Sequence, residues 1–240
     1  MPRVLCCIPD HDFDPTEAAT PWHHLTAAGV QVAFATENGA VGACDPRMLT
    51  GPLLGMLGAK PDAIAHYQRM AQSEAFQKPL RWRDVQAAQW DALLLPGGHA
   101  PGMKPYLESE ALRDVIRDFL HQDKAVAAIC HGVLALARTI DPVTGVSVLR
   151  DRRVTALTRT LEKAGYYTTS WKLGSYFRTY PAWVQDEVEH NLANPQQFDA
   201  GAAPWQPFVV RDGRLLTARW PKDAELFAQE FLRLLAEHPD

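Results

Sequence analysis

Short apolar runs alternate with amphipathic segments along most of the chain. The apolar runs have the length and the near-continuous hydrophobicity of strands that are buried on both faces of a parallel sheet. They lie at residues 3–8, 30–35, 92–95, 125–129 and 154–157. Helical spacing of apolar positions is found at residues 16–28, 61–73, 108–122, 133–138 and 223–237. This alternation predicts a doubly wound, flavodoxin-like α/β sandwich with a mostly parallel central sheet.

Two stretches depart from this rhythm. Residues 44–89 are rich in proline and glycine around one predicted helix, and they are interpreted as an insertion on the sheet edge. Residues 166–205 are rich in aromatic side chains and are interpreted as a cap. Near the end, Asp212-Gly213 between two apolar runs predicts a β-hairpin. Because 240 residues approach the upper limit for one hydrophobic core, a single domain over 1–240 with these two additions is expected.

Composition and charge exclude several classes of protein. Hydrophobic residues make up 47% of the chain and charged residues 22%, a globular composition that excludes disordered and coiled-coil proteins. A net charge of −4, with no dense basic cluster apart from residues 150–153, argues against a nucleic-acid partner. The apolar runs are far shorter than the roughly 20 residues of a membrane span, and residues 1–10 lack the pattern of a signal peptide. Four cysteines are too few for a disulfide framework, so a cytoplasmic, reducing location is expected.

The strongest chemical signal is Cys130, which directly follows a predicted strand and precedes a predicted helix. A nucleophile at such a strand-to-helix turn needs small neighbours, because the turn is crowded. Ala128 and Gly132, two residues before and two after Cys130, meet that need. The backbone N–H groups at a helix start favour a thiolate, and His131 stands beside it. The pattern therefore predicts a reactive cysteine.

Two further features fall at the same edge of the predicted sheet. Gly97 and Gly98 follow a buried strand, and their turn allows backbone N–H groups to face the crevice. With the amide of His131 these groups would form an oxyanion hole, and His99 would line the substrate pocket. Glu17 lies at the start of the first predicted helix, beside the same crevice. Doubly wound folds bind their ligands at this edge, where the carboxyl ends of the strands meet.

These motifs resemble the ThiJ/PfpI superfamily, within the class I glutamine amidotransferase-like fold. The likeness lies in residues 12–21, 90–99, 128–132, 153–158 and 212–218. It touches nearly the whole chain, and the insertion is similar to the chaperone and glyoxalase III-like branch. One departure is Ala218-Arg219-Trp220-Pro221, where relatives often have Gly-Gln-Asn-Pro.

The resemblance implies roles for four residues. Cys130 would be the family's reactive cysteine, and Glu17 would be the acid that is held protonated against its sulfur. His131 would be the adjacent histidine, which in some branches is oriented by an acid from a later segment. Glu162 is the candidate for that acid. The resemblance also implies a homodimer.

The function that the resemblance implies is a cysteine-dependent enzyme acting on small reactive carbonyl compounds. It would convert methylglyoxal to lactate without glutathione, or act as a deglycase, with no metal and no organic cofactor. Two alternatives stay open. One is a cysteine amidase or peptidase-type hydrolase that uses Cys130, His131 and Glu162 as a triad. The other is a redox-sensing holdase chaperone without turnover, in which Cys130 is oxidised.

Overall fold

A computed structural model describes residues 1–53 and 55–237. The strands in this part of the chain are Arg3–Cys7 (β1), His11–Phe13 (β2), Gln31–Thr36 (β3), Ala43–Cys44 (β4), Leu80–Arg81 (β5), Ala92–Leu95 (β6), Ala125–Ile129 (β7), Val209–Asp212 (β8) and Leu215–Ala218 (β9). The helices are Pro15–Ala27 (α1), Pro46–Thr50 (α2), Pro61–Gln72 (α3), Glu74–Gln77 (α4), Lys104–Glu108 (α5), Glu110–His121 (α6), Gly132–Ala137 (α7), Arg159–Leu173 (α8), Val184–Asn191 (α9) and Ala224–Ala236 (α10).

The central sheet has the strand order β5-β3-β1-β6-β7-β9-β8. Its neighbouring strands run parallel, except in the β8–β9 hairpin. From β1 the chain builds the sheet outward through β3 to β5, and it then builds the other half through β6, β7 and β9. The direction reverses between β1 and β6, which is where doubly wound sheets bind their ligands. The predicted α/β sandwich with a mostly parallel sheet is confirmed.

Helices cover the sheet in two groups. In one group α1 packs against α3 and α10, and in the other α7 packs against α5, α6 and α9. Strand β7 is buried along its whole length, as expected for a strand that has parallel neighbours on both sides. It ends at the residue before Cys130, so a fully buried strand delivers the predicted nucleophile.

The two stretches that interrupt the sequence rhythm lie at the edge of the sheet and beside the helices. Strand β5 pairs with β3 at the sheet edge, and α3 forms where a helix over residues 61–73 is predicted. The aromatic-rich stretch contains the second half of α8 and the whole of α9. In the described part of the chain, none of the helices has the length and apolar character that a bilayer crossing requires.

Two predicted elements differ from the structure. Residues 154–157 do not form a strand: Val154 makes a single bridge to Phe198, and the Thr155 N–H donates to the Thr217 hydroxyl at 2.9 Å. The reason is that β9 already has β7 and β8 on its two sides. The helix predicted over 108–122 forms as α6 but begins two residues later, at Glu110, because the Ser109 hydroxyl caps it by accepting a backbone N–H of its first turn.

Candidate active site

Cys130 occupies the turn between β7 and α7, at a φ of +58°. This is the left-handed region, which residues other than glycine rarely adopt. The Cys130 N–H donates to the carbonyl of Ala218 at 3.0 Å, which ties the turn to the end of β9. A Cβ atom on Gly132 would lie 2.3 Å from the carbonyl oxygen of Leu95, so only glycine fits there. The geometry is that of a nucleophile elbow.

Glu17 lies in the first turn of α1 and is 1% exposed. Asp14 caps this helix, and its N–H donates to the carbonyl of Gly97 at 2.8 Å, which ties the start of α1 to the turn after β6. Glu17 Oε2 accepts the Gly97 N–H at 3.0 Å, and Oε1 has no hydrogen-bond partner among the described residues. A Cβ atom on Gly97 would lie 2.8 Å from Glu17 Oε2, so position 97 must be glycine for the carboxyl to bind there.

The Glu17 carboxyl and the Cys130 thiol lie close enough to act on each other's protonation. Burial raises the pKa of Glu17 well above its usual value, and the charge of Asp14 raises it further, so the site favours the protonated carboxyl. Burial also raises the pKa of Cys130, and outweighs the His131 N–H that favours the thiolate. Burial thus opposes the thiolate that the start of the helix favours.

The hydrogen bonds around His131 fix its tautomer. The Thr179 hydroxyl has one proton, which it donates to the carbonyl of His99 at 2.6 Å. Its oxygen must therefore accept the Nε2–H of His131, 3.1 Å away. Burial lowers the pKa of His131 to about 3, so the ring is neutral. The lone pair of Nδ1 then faces Cys130 Sγ at 3.4 Å, where it accepts the thiol proton.

The structure does not bring Glu162 to His131. Both ring nitrogens of His131 have other partners, and Glu162 Oε2 accepts the Val184 N–H at 2.8 Å. The prediction that Glu162 orients His131 is wrong, and Thr179 takes that place. Sequence reasoning missed Thr179, which is 48 residues from His131 and belongs to no motif.

Of the three residues predicted to form the oxyanion hole, Gly97 does not fit that role. The Gly97 N–H donates to Glu17 and is not available to a substrate oxygen. The amides of Gly98 and His131 donate to no oxygen of the described chain, so these two remain the candidates.

A cavity of about 720 Å³ opens over Cys130 and is also lined by Glu17, Gly98, His99 and Glu162. His99 forms part of its wall and stacks on Phe177 with 4.3 Å between the ring centroids. Burial lowers the pKa of His99 to about 3, so this ring is neutral as well. Within residues 1–53 and 55–237, no three side chains of His, Cys, Asp or Glu converge on a position that could hold a metal ion.

A family model described as ThiJ/PfpI family-like matches residues 8–201, more than half of the chain. The chain belongs to the ThiJ/PfpI family. Curated proteins similar to it include protein/nucleic acid deglycase 2 of Escherichia coli, which is 30% identical over 63% of this chain and 64% of that protein. A deglycase of Pyrococcus abyssi is 28% identical over 97% of this chain and 99% of that protein.

Solved structures of similar proteins share the fold of this ThiJ/PfpI chain. Glyoxalase III of Candida albicans superposes with a TM-score of 0.73 at 20% identity, over 97% of this chain and 97% of that one. The chain spans 54%, 64% and 34% of the lengths of curated relatives from Schizosaccharomyces pombe, Escherichia coli and Arabidopsis thaliana.

Proposed function

We propose that this ThiJ/PfpI protein is a glutathione-independent glyoxalase that converts methylglyoxal and water to lactate, or a deglycase that uses the same residues. The observation that carries the proposal is the buried Glu17 carboxyl beside Cys130 in the wall of one cavity. Support also comes from a curated protein named glyoxalase 3 of Candida albicans, 21% identical over 90% of this chain and 86% of that protein.

In the first step, Cys130 Sγ adds to the aldehyde carbon of methylglyoxal. The thiol proton passes to Nδ1 of His131, while Glu17 gives its proton to the aldehyde oxygen, so a hemithioacetal forms. The N–H groups of Gly98 and His131 are the candidates for stabilising charge on that oxygen. Glu17 is left as a carboxylate and His131 as an imidazolium, and their opposite charges stabilise each other in the buried site.

In the second step, the Glu17 carboxylate removes the proton from the carbon that carries the sulfur. The neighbouring ketone oxygen takes a proton from His131, which gives an enediol. Glu17 then protonates the second carbon, and His131 accepts the proton of the hydroxyl on the first, so a thioester of lactate forms. Water adds to the thioester and gives a proton to Glu17, and the sulfur recovers its proton from His131. Lactate leaves, and all three residues return to their starting states.

The structure does not support the hydrolase alternative, because a Cys–His–acid triad needs a carboxylate on His131 and the ring contacts Thr179 instead. The redox-sensing holdase is the alternative that a folded but inactive protein would favour. We also propose a reducing, cytoplasmic location, because the cysteines are free thiols, namely Cys6, Cys7, Cys44 and Cys130. We propose that the protein forms a homodimer, on the basis of the family resemblance alone.

Purified, reduced protein is expected to form lactate from methylglyoxal without added glutathione, as measured by an enzymatic lactate assay. Glu17→Gln is expected to lower kcat by roughly a hundredfold or more, because it removes the group that moves protons between carbon and oxygen. A matched control is Glu110→Gln, whose carboxyl pairs with Arg113 on an exposed helix face. Folded wild-type protein that forms no lactate would contradict the proposal, as would full activity of Glu17→Gln.

Thr179→Val is expected to lower kcat/KM by about tenfold, because the Nε2–H of His131 then lacks an acceptor and the Nδ1 lone pair is no longer held toward the thiol. Thr179→Ser keeps the hydroxyl and is expected to restore activity. The ¹⁵N chemical shifts of His131 report the tautomer directly. They should show an Nε2-protonated ring in the wild type and in Thr179→Ser, and a mixture of tautomers in Thr179→Val. An unchanged tautomer in Thr179→Val would rule out this positioning role.

A further inference from the structure

The cavity is much larger than methylglyoxal. A three-carbon substrate occupies only a small part of about 720 Å³, a volume typical of pockets for much larger organic molecules. The walls around the reacting residues are mostly apolar. They include Met48, Ala63, Leu157, Leu161 and Phe177. Such walls favour a substrate with an apolar group attached to the reacting carbons.

Buried polar atoms without hydrogen-bond partners are concentrated on the same cavity. Four of them belong to residues that line it, namely Glu17 Oε1, His99 Nε2, Glu162 Oε1 and Trp220 Nε1. A buried polar atom without a partner lowers stability, and it is therefore an indication that a ligand supplies the missing partner. The mechanism above accounts for Glu17 but does not use Glu162.

Only one of the two carboxyl oxygens of Glu162 has a hydrogen-bond partner in the described chain. Glu162 lies in the first turn of α8 and is 4% exposed. Its Oε2 is anchored by the Val184 N–H, while its buried Oε1 has no hydrogen-bond partner in the described chain. Burial raises its pKa to about 7, so the carboxyl is available near neutral pH both as a charged acceptor and as a neutral group. A hydrogen-bond donor on a ligand would meet an acceptor that is already desolvated and fixed.

We propose that Glu162 is a specificity-determining residue that binds a hydroxyl group on 2-oxoaldehydes longer than methylglyoxal. The apolar walls hold the segment between that hydroxyl and the aldehyde. This inference rests on the proposed function, because the aldehyde still reacts at Cys130. The reaction is unchanged: one water is consumed and a 2-hydroxy acid with the longer side chain is released.

The kinetic test compares methylglyoxal, phenylglyoxal and 4-hydroxyphenylglyoxal. In the wild type, kcat/KM is expected to be about tenfold higher for 4-hydroxyphenylglyoxal than for phenylglyoxal, in line with a hydrogen bond to a buried carboxyl. Glu162→Leu is expected to remove this preference, lowering kcat/KM for 4-hydroxyphenylglyoxal about tenfold more than for the other two aldehydes. The matched control is Thr169→Val, a buried polar-to-apolar change on the same helix whose hydroxyl contacts only Gly165. Equal loss on all three aldehydes, or a preserved preference, would overturn the assignment.

A binding test separates this inference from the proposed function. Calorimetry with 4-hydroxyacetophenone and acetophenone, which lack the aldehyde, is expected to show about tenfold tighter binding of the hydroxylated ketone to the wild type. Glu162→Leu should bind both equally, and Glu162→Ala, which also lacks any hydrogen-bonding group, serves if the leucine variant fails to fold. The same ketone preference without any aldehyde turnover would overturn only the glyoxalase proposal. Equal binding of both ketones by the wild type would overturn the role of Glu162 while leaving lactate formation intact.

Discussion

Cys130→Ala is expected to lower the turnover of methylglyoxal by more than about a thousandfold, because the sulfur forms the bond on which every later step depends. The steady-state rate of lactate formation measures this loss. Alanine accepts the +58° φ of this position no worse than cysteine, so the variant should fold. Circular dichroism and the melting temperature check that the loss is chemical.

Cys44→Ala is the matched control for that variant. Cys44 is also a buried free thiol, and its sulfur contacts the carbonyl of Asp45 rather than the cavity. Its replacement should leave the turnover within about twofold of the wild type. Retention of a tenth or more of the activity in Cys130→Ala would contradict the covalent mechanism.

Arg219→Leu is expected to lower the free energy of unfolding by about 3–5 kcal/mol, because it leaves a buried carboxylate without its partner. Arg219 and Asp223 are 1% and 0% exposed at their side chains and form two parallel hydrogen bonds of 2.9 Å. The remaining guanidinium N–H groups donate to the carbonyls of Ala200, Ala203 and Gln206. Urea denaturation monitored by tryptophan fluorescence measures the change in the free energy of unfolding.

Two further variants test the cause of that loss. Removing both charges in Arg219→Leu/Asp223→Leu should recover part of the stability, since no uncompensated charge remains. Arg233→Ala breaks a surface pair with Glu230 and should cost less than about 1 kcal/mol. A double variant that is less stable than Arg219→Leu would show that the backbone N–H groups of Phe208 and Arg219, which Asp223 accepts, contribute more than the unpaired charge costs.

Local sterics made the nucleophile turn predictable from the sequence. The strand before Cys130 is a continuous apolar run, and Gly132 is required by the carbonyl oxygens of Leu95 and Pro96 at the end of the adjacent strand β6. The hairpin at Asp212-Gly213 formed as predicted for the same reason, because a short turn is specified by its own residues. Such features depend on few distant contacts.

The partners of His131 and the protonation of Cys130 could not be predicted in this way. The acid expected at Glu162 and the hydroxyl found at Thr179 both lie far along the chain, and only the packing of α8 and the loop after it decides which one meets the ring. A helix start alone predicts a thiolate, but the three-dimensional structure buries Cys130 beside two carboxyls. Sequence pattern shows neither long-range hydrogen-bond direction nor the depth of burial.

The two edge strands of the central sheet have a consequence for association between chains. Strand β5 has two residues and β8 has four, and on β8 the charged Arg211 is held by Glu237. A strand from another molecule needs a long open row of N–H and C=O groups, and charges on the edge oppose its approach. This architecture disfavours fibril-like growth by strand addition. Assembly of native copies through other surfaces is therefore favoured over pairing at the edges of the central sheet.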